Sequence, residues 1–324
     1  MGKESGLNVK KKGGIHLEAG ETFVADSRNA GGDINIVSHA HADHAFEDDC
    51  PVITSEITAS LLRERFGSQV EQQEHDRVEL IPSGHIIGSS AALVDEKILY
   101  TGDVSLQERL YMDGFQPVEA EELVIEATYG IPAYRLPEQR EVVKKIRDWL
   151  QDNEEPLALF GYSLGKAQKI QRIVQQSVDR PVVAHGAVKN MNDAVEAVTD
   201  LEFDARPYGD NEEVLEENGI VVAPSRLSNS DFADRLERKY GVKKAGFSGW
   251  AVHDSFRHRG DYDATFALSD HCGFDDLVKL VREVDPEKVY THHGFDEEFA
   301  QYLKRELGIN ARALKSNQSS LNDF

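Results

Sequence analysis

The chain has 324 residues, with 58 acidic against 36 basic side chains and a formal net charge of −22. Its length suggests one large or two ordinary domains, and 40% hydrophobic residues are enough for a substantial core. Two distant cysteines, Cys50 and Cys272, argue against a disulfide framework or a thiolate zinc site.

The predicted secondary structure changes along the chain from mostly strands to alternating strands and helices. Short strands are predicted at residues 15–17, 22–25, 34–37, 52–54, 78–81, 91–94 and 98–100, with one helix at residues 55–66. After a strand at 123–126 the pattern alternates, with helices at 137–150, 164–176 and 231–240 and strands at 157–160, 182–184 and 220–222. The last elements are a helix at 274–283, a strand at 289–291 and a helix at 295–307. The alternation predicts a parallel α/β segment between boundaries near residues 129–132 and 257–262.

The ends of the chain and its charge indicate where it works. The first ten residues contain no apolar stretch typical of a signal peptide, and no later apolar run reaches the roughly 18 residues needed to cross a bilayer. We therefore expect a soluble, cytoplasmic protein without a membrane partner. Acidic clusters at residues 71–76 and 210–217 are typical of a halophilic protein, with an ordinary acidic cytoplasmic protein as the alternative. In molar salt the Debye length is about 3 Å, so the net charge would repel a polyanion little.

Three histidines and one aspartate lie within six residues, directly after the predicted strand at 34–37. They are His39, His41, Asp43 and His44. Neutral imidazole and carboxylate oxygens are ligands that suit zinc or manganese, and two ions about 3.5–4 Å apart can activate one hydroxide and clamp a phosphoryl group. We therefore predict a metal site here, with a packed or surface histidine cluster as the alternative.

Two further candidates follow apolar strands at glycine turns. His85 follows Gly84, and Asp103 follows Gly102. Either residue alone would fit a capping or turn position, but their order after the histidine cluster favours metal ligation.

These motifs, taken in order, resemble the ligand motifs of the metallo-β-lactamase fold. Asp26 matches the early strand-end aspartate of that fold, which orients the ligand loop. Glu126, His271 and His293 resemble the three signature motifs of the β-CASP nucleases, and residues 160–168 resemble the strand-to-helix turn of the inserted β-CASP domain. His293 is preferred over its neighbour His292 because it directly precedes glycine, as in the family pattern.

The resemblance extends over nearly the whole chain and has implications for fold and substrate. It implies an α/β fold, with a metallo-β-lactamase αββα sandwich from residues 1–130 and 269–324 and a β-CASP domain inserted at residues 131–268. Residues 129–137 are most similar to compact prokaryotic exonucleases, including ligase-associated DNA exonucleases. A histidine at position 293 is more typical of the RNA-acting branch, which includes relatives of mRNA 3′-end processing factors. The expected partner is therefore nucleic acid, DNA or RNA, and the sequence makes no prediction of oligomeric state.

The resemblance also implies a role for each site residue. Two divalent metal ions are expected, zinc first and manganese as the alternative, and a hydroxide between them attacks the phosphodiester. One ion would be held by His39, His41 and His85, the other by Asp43, His44 and His293, with Asp103 bridging them. His271 would act as general acid or hydrogen-bond donor, unless it is a structural histidine that caps the following helix. Glu126 would fix the tautomer of a histidine, unless it forms a strand-end salt bridge.

The turn before the helix at 164–176 is a candidate phosphate seat. Ser163 offers a hydroxyl and Lys166 an ammonium group beside the backbone N–H groups of a helix start. Ordinary N-capping by Ser163 is the alternative. His253 and His258 lie with two arginines in a segment that is interpreted as a solvated loop.

Three other functions compete with a nuclease. Residues 161–165 match the Gly-x-Ser-x-Gly elbow of a serine hydrolase, with Ser163 as nucleophile. That interpretation leaves the histidine cluster without a role. A small-ester or thioester hydrolase of the same fold, and a protein that only binds nucleic acid, are the remaining alternatives.

Overall fold

A computed structural model describes residues 8–44, 46–67 and 69–315 of the chain. Its strands are Asn8–Lys11 (β1), Ile15–Ala19 (β2), Glu21–Ala25 (β3), Ile34–Ile36 (β4), Pro51–Val52 (β5), Glu71–Gln72 (β6), Val78–Pro82 (β7), Ser90–Val94 (β8), Ile98–Tyr100 (β9), Glu122–Glu126 (β10), Leu157–Gly161 (β11), Val182–Ala184 (β12), Arg206–Pro207 (β13), Ile220–Pro224 (β14), Lys243–Phe247 (β15), Ala264–Phe266 (β16), Lys288–His292 (β17) and Ala311–Ala313 (β18). Its α-helices are Glu56–Phe66 (α1), Gln139–Asp152 (α2), Lys166–Gln175 (α3), Gly186–Glu196 (α4), Asp231–Tyr240 (α5), Ser255–Arg259 (α6), Phe274–Val284 (α7) and Asp296–Leu307 (α8).

These elements form two compact units. The first unit contains the described residues up to Leu106, then Gly114–Ala133, and those from His271 onward. The second contains Gln107–Asp113 and Tyr134–Asp270. The predicted boundaries at residues 130 and 268 lie close to these changes of unit, whereas segment 107–113 groups with the second unit. The predicted first domain also includes residues 1–7 and 316–324, which lie outside the described residues.

Besides the two-stranded sheet of β5 and β6, the first unit contains two larger sheets that pack face to face. One has the order β1-β2-β3-β4 and the other β18-β17-β10-β9-β8-β7. Side chains alternate across β8: Ala92 and Val94 join a core shared with the first sheet, whereas Ala91 and Leu93 join a core shared with α7 and α8. This alternation follows from the two-residue period of a strand. Each face of the larger sheet is thus buried against a different layer.

The second unit contains a six-stranded sheet with the order β13-β12-β14-β11-β15-β16. Every neighbouring pair in it is parallel. Helices α2 and α3 bury apolar residues against one face of the sheet, and α5 buries Leu236 on the other. Such a doubly covered parallel sheet is the arrangement that alternating strands and helices predict. The predicted α/β fold class is confirmed.

In the part of the chain that the structure describes, no helix has the length and apolar character needed to cross a membrane.

Candidate metal centre

The predicted metal ligands of the first unit follow strands that point toward the same edge. In the first sheet, β3 and β4 are parallel and are followed by Asp26 and by the loop from Val37 to His44. In the second sheet, β9, β10 and β17 are mutually parallel. Strand β7 runs in the same direction because it is separated from β9 by two antiparallel pairings. Their carboxyl ends therefore present side chains from several segments to one place.

Four side chains converge closely enough to hold one ion. Nε2 of His39 and Nε2 of His85 each lie 3.2 Å from Nδ1 of His41. The same two nitrogen atoms each lie 3.5 Å from Oδ2 of Asp103. One ligand atom from each of the four residues lies within 4.8 Å of the others. A tetrahedral ion with bonds of about 2.0–2.1 Å separates its ligand atoms by about 3.3 Å, so this donor set fits zinc in chemistry and in spacing.

The protonation state of His39 favours metal ligation. Burial, reinforced by the neighbouring imidazoles, lowers the pKa of His39 well below its ordinary value. His39 is therefore neutral near pH 7, which is the form that binds a metal ion.

A second group of donors surrounds His44. Its Nε2 lies 3.7 Å from Oδ2 of Asp43 and 3.9 Å from Oδ2 of Asp103. Burial lowers the pKa of His44, but the carboxylates of Asp26, Asp103 and Asp43 outweigh burial and raise it to about 10. The same concentration of negative charge that attracts a proton to this nitrogen also attracts a divalent cation.

Asp43 and His293, the other predicted ligands of the second ion, are both exposed. The Asp43 side chain is 66% exposed, and His293 is exposed with a backbone φ of +63°. Burial raises the pKa of Asp43, but His44 and, more weakly, His41 and His293 lower it. His293 also lowers the pKa of Asp103, which burial raises overall. His292, by contrast, is buried and stacks on Tyr100, with ring centroids 5.7 Å apart.

Asp26 holds the ligand loop through four hydrogen bonds. Its carboxylate accepts from the backbone N–H of Ser38 at 2.8 Å, from the Ser38 hydroxyl at 2.6 Å and from the Tyr100 hydroxyl at 2.6 Å. Oδ2 of Asp26 also lies 2.8 Å from Nδ1 of His44. Because Nδ1 is engaged, Nε2 of His44 is the nitrogen that faces Asp43 and Asp103. Ser38 and Tyr100 are participants that the sequence did not reveal; the position of Ser38 directly before His39 was the available signal.

Gly102 sets the approach of Asp103 to this loop. Its φ is +54°, and a Cβ atom placed on it would lie 2.6 Å from Cβ of Ser38. A residue with a side chain would therefore displace Ser38, which contacts both Asp26 and Nδ1 of His39.

Glu126 and His271 form a third cluster with Asp103. Oε1 of Glu126 lies 2.8 Å from Nδ1 of His271 and accepts the backbone N–H of Val104 at 3.2 Å. Oε2 accepts the N–H and the hydroxyl of Thr128. Burial raises the pKa of Glu126, but His271 and these donors lower it to about 2, so the carboxylate is charged at neutral pH. The His271 ring also packs on His85, with centroids 4.5 Å apart.

Ser163 and Lys166 lie in the second unit, at the turn between β11 and α3. Helix α3 begins after Gly165 and not after Ser163, since the Gly165 N–H donates to Oε1 of Gln168. The Lys166 ammonium is buried, donates to the Leu268 carbonyl at 2.6 Å and lies 2.8 Å from the Asp270 carboxylate. The role of Lys166 in binding substrate stays a prediction. In the structure its ammonium group contacts the Asp270 carboxylate.

Asp270 is surrounded by three cations. Its oxygen atoms lie 2.8 Å from Lys166, 2.6 Å from Lys169 and 3.2 Å from Arg109. A serine hydrolase based on Ser163 would use Asp270 to orient a histidine. The carboxylate serves three buried cations instead, which argues against that alternative.

Comparisons with known proteins agree with the site. Residues 264–314 match the family described as Zn-dependent metallo-hydrolase RNA specificity domain. The chain is 34% identical over 307 residues to a protein named Probable DNA ligase from Opitutus terrae, which covers 89% of this chain and 29% of that protein. It is 28% identical over 139 residues to Cleavage and polyadenylation specificity factor subunit 3 of Dictyostelium discoideum, which covers 40% of this chain and 18% of that protein. The chain thus spans less than a third of these two relatives.

Two further comparisons cover most of both chains. Probable RNase MJ4 of Methanocaldococcus jannaschii is 22% identical over 347 residues and matches 80% of each chain. A solved structure of a protein of unknown function from Enterococcus faecalis V583 has a TM-score of 0.59 at 16% identity, over 88% of this chain and 80% of that one. It supports the fold alone. The fold and the clustered histidines and carboxylates are typical of metallo-hydrolases that bind divalent metal ions. Together, the family match at residues 264–314 and these relatives support the metallo-β-lactamase β-CASP nuclease family for this chain.

Proposed function

We propose that this chain is a metal-dependent phosphodiesterase that hydrolyses nucleic acid, acting as an exonuclease. The observation that carries the proposal is the convergence of His39, His41 and His85 on Asp103, with the His44 group beside them. The names of the relatives support nucleic acid as substrate, since they refer to an RNase, a cleavage factor and a DNA ligase. The proposed action at strand ends rests on the similarity of residues 129–137 to prokaryotic exonucleases.

The donor chemistry defines which residues would hold metal. We assign His39, His41 and His85 to one ion, Asp43, His44 and His293 to the other, and Asp103 to both. Zinc is the expected ion and manganese the alternative, because both accept imidazole and carboxylate ligands. Bound divalent ions lower the pKa of water and stabilise negative charge on a phosphoryl group.

His271 and Glu126 supply the proton chemistry in this proposal. Glu126 is charged and holds Nδ1 of His271, so that Nε2 is the nitrogen directed to substrate. A carboxylate at this distance stabilises the protonated imidazole, which then donates a proton to the leaving oxygen of the phosphodiester. Asp43 and Asp103 complete the catalytic set through the ions they bind. Ser163 and Lys166 are assigned to substrate binding at the start of α3.

The test titrates metal against two activities. Metal-free protein is supplied with zinc or manganese, in low and in molar salt, and hydrolysis of short labelled strands is compared with that of simple thioesters. We expect strand cleavage that rises with metal and binding of two zinc equivalents, both reduced in His41→Ala. His16→Ala, which alters a histidine on β2, serves as the matched control. Thioester cleavage without strand cleavage would refute the proposal in favour of a small-ester hydrolase of the same fold.

A further inference from the structure

The carboxyl edge of the parallel sheet in the second unit brings three loops together. Strand β11 lies between β14 and β15, with Gly161 opposite Pro224 and Phe160 opposite Gly246. The residues that follow these strands therefore lie side by side, about 4.8 Å apart from strand to strand. This edge is where open α/β sheets generally bind ligands.

Tyr162, the first residue after β11, is 58% exposed. Among the described residues it is the more exposed of two large hydrophobic residues that are more than a third exposed, the other being Phe66 at 41%. Burial raises the pKa of the Tyr262 hydroxyl, Ser228 and Lys244 lower it, and Tyr162 raises it, so Tyr162 lies within electrostatic range of Tyr262. Tyr262 in turn stacks on Phe256 of α6, with ring centroids 5.7 Å apart. Tyr162 thus lies next to the segment that contains α6.

A second group of rings follows β15. The backbone N–H of Trp250 donates to the Ser248 hydroxyl at 3.3 Å, which caps the 3₁₀ helix Gly249–Val252 directly after the strand. Tyr134 makes edge contacts with Trp250 and with His253, at 4.9 Å between centroids in each case. Trp250 and Tyr134 are half-buried and His253 is exposed, so these rings form part of the surface.

Cations lie beside these rings although the chain is strongly acidic. Arg257, His258 and Arg259 form the last turn of α6 and are exposed. The Asn229 amide donates to the Arg259 carbonyl, which brings the loop after β14 against α6. The exposed Arg226 lies on that loop. This segment, interpreted above as a solvated loop, therefore presents arginine and histidine next to aromatic rings.

We propose that Tyr162, Trp250 and Tyr134, with Arg226, Arg257 and Arg259, form a binding surface for single-stranded nucleic acid. Every base has a flat face that can stack on an aromatic ring, whereas a duplex keeps those faces inside. Stacking also tolerates salt better than phosphate contacts do, which suits a protein of net charge −22. The inference rests on the proposed function, because it names the form of nucleic acid that the hydrolytic site would receive.

The experiment measures binding without turnover. Full-length Asp103→Ala protein that also carries Trp149→Phe retains Trp250 as its one tryptophan, since the chain has two. Oligothymidine and oligouridine are added, and tryptophan quenching and strand anisotropy are recorded in low and molar salt. We expect quenching by single strands and weaker binding of a matched duplex. Tyr162→Ala should lower strand affinity about tenfold, Tyr162→Phe should restore it, and Phe66→Ala should leave it unchanged.

The possible outcomes separate the two proposals. Equal affinity in Tyr162→Ala and its parent, or no strand binding at all, would overturn the surface. Binding that depends on Tyr162 in a protein whose wild type cleaves no strand would keep the surface and refute the nuclease. If the wild type cleaves strands but Tyr162→Ala binds them as well as its parent does, the nuclease proposal stands and the binding surface is refuted.

Discussion

Oε1 of Glu126 lies 2.8 Å from Nδ1 of His271, and the Glu126 side chain is fully buried whereas that of His271 is 22% exposed. The Glu126 carboxylate is thus shielded from solvent, whereas the His271 imidazole reaches it. Because the pKa of Glu126 is about 2, its carboxylate carries a negative charge at any pH where the protein would work.

Glu126→Gln should lower kcat about 10- to 100-fold with unchanged zinc content, because the amide keeps the shape but not the charge that stabilises protonated His271. The alkaline limb of the pH–rate profile should also move to lower pH. Glu122→Gln, at the other end of β10, serves as the matched control. An equal loss of rate at every pH would point to a purely structural role for Glu126.

Asp26→Asn should weaken zinc binding about 10- to 100-fold, since Asp26 holds both Ser38 and Nδ1 of His44. Competition with a chromophoric chelator measures this affinity. Tyr100→Phe removes only one of the four hydrogen bonds to Asp26 and should have a smaller effect. Zinc affinity that is the same in Asp26→Asn and wild type would contradict the orienting role.

Asp270→Asn should destabilise the fold by about 3–5 kcal/mol at neutral pH, because it leaves Lys166, Lys169 and Arg109 buried around an uncharged amide. Denaturant unfolding measures the difference. The exposed Asp200→Asn should change the free energy of unfolding by no more than about 0.5 kcal/mol.

The destabilisation by Asp270→Asn should also depend on pH. Burial raises the pKa of Asp270, but Lys166, Lys169 and Arg109 lower it far below its ordinary value of 3.8. A lowered pKa in the folded state stabilises the protein above the unfolded-state pKa, and this stabilisation is lost as the pH falls. The difference between wild type and Asp270→Asn should therefore be full above about pH 4 and shrink below it. A difference that grows toward acid would contradict the assignment.

The sequence predicted those elements whose pattern is strong. The helix predicted at residues 55–66 is observed as Glu56–Phe66, with Ser55 as its N-cap. Helix α4 was missed because its sequence contains glycine and asparagine, which have low helix propensity. It is capped by the side chain of His185. Strand β15 was missed because Lys-Lys-Ala-Gly-Phe has few strand-forming residues, although the sheet buries it between β11 and β16.

The sequence predicted those parts of the site whose residues lie close together along the chain. His39, His41 and His44 share one loop, so their clustering is visible in the sequence itself. The network around Asp270 could not be found in this way, because Arg109 and Asp270 are separated by 161 positions and only the folded chain brings them together. Tyr100 is equally hidden, since an apolar strand gives no sign that one hydroxyl reaches Asp26.

We propose above all that the histidine and aspartate cluster hydrolyses phosphodiesters. The most direct test measures cleavage of matched 5′-labelled single-stranded DNA and RNA in high salt, with zinc or manganese added. Wild type is compared with Asp103→Ala and with the control Asp200→Ala. We predict metal-dependent degradation by wild type and Asp200→Ala, and none by Asp103→Ala with a cooperatively folded chain. Intact strands under every condition, or cleavage that persists in Asp103→Ala, would contradict the claim.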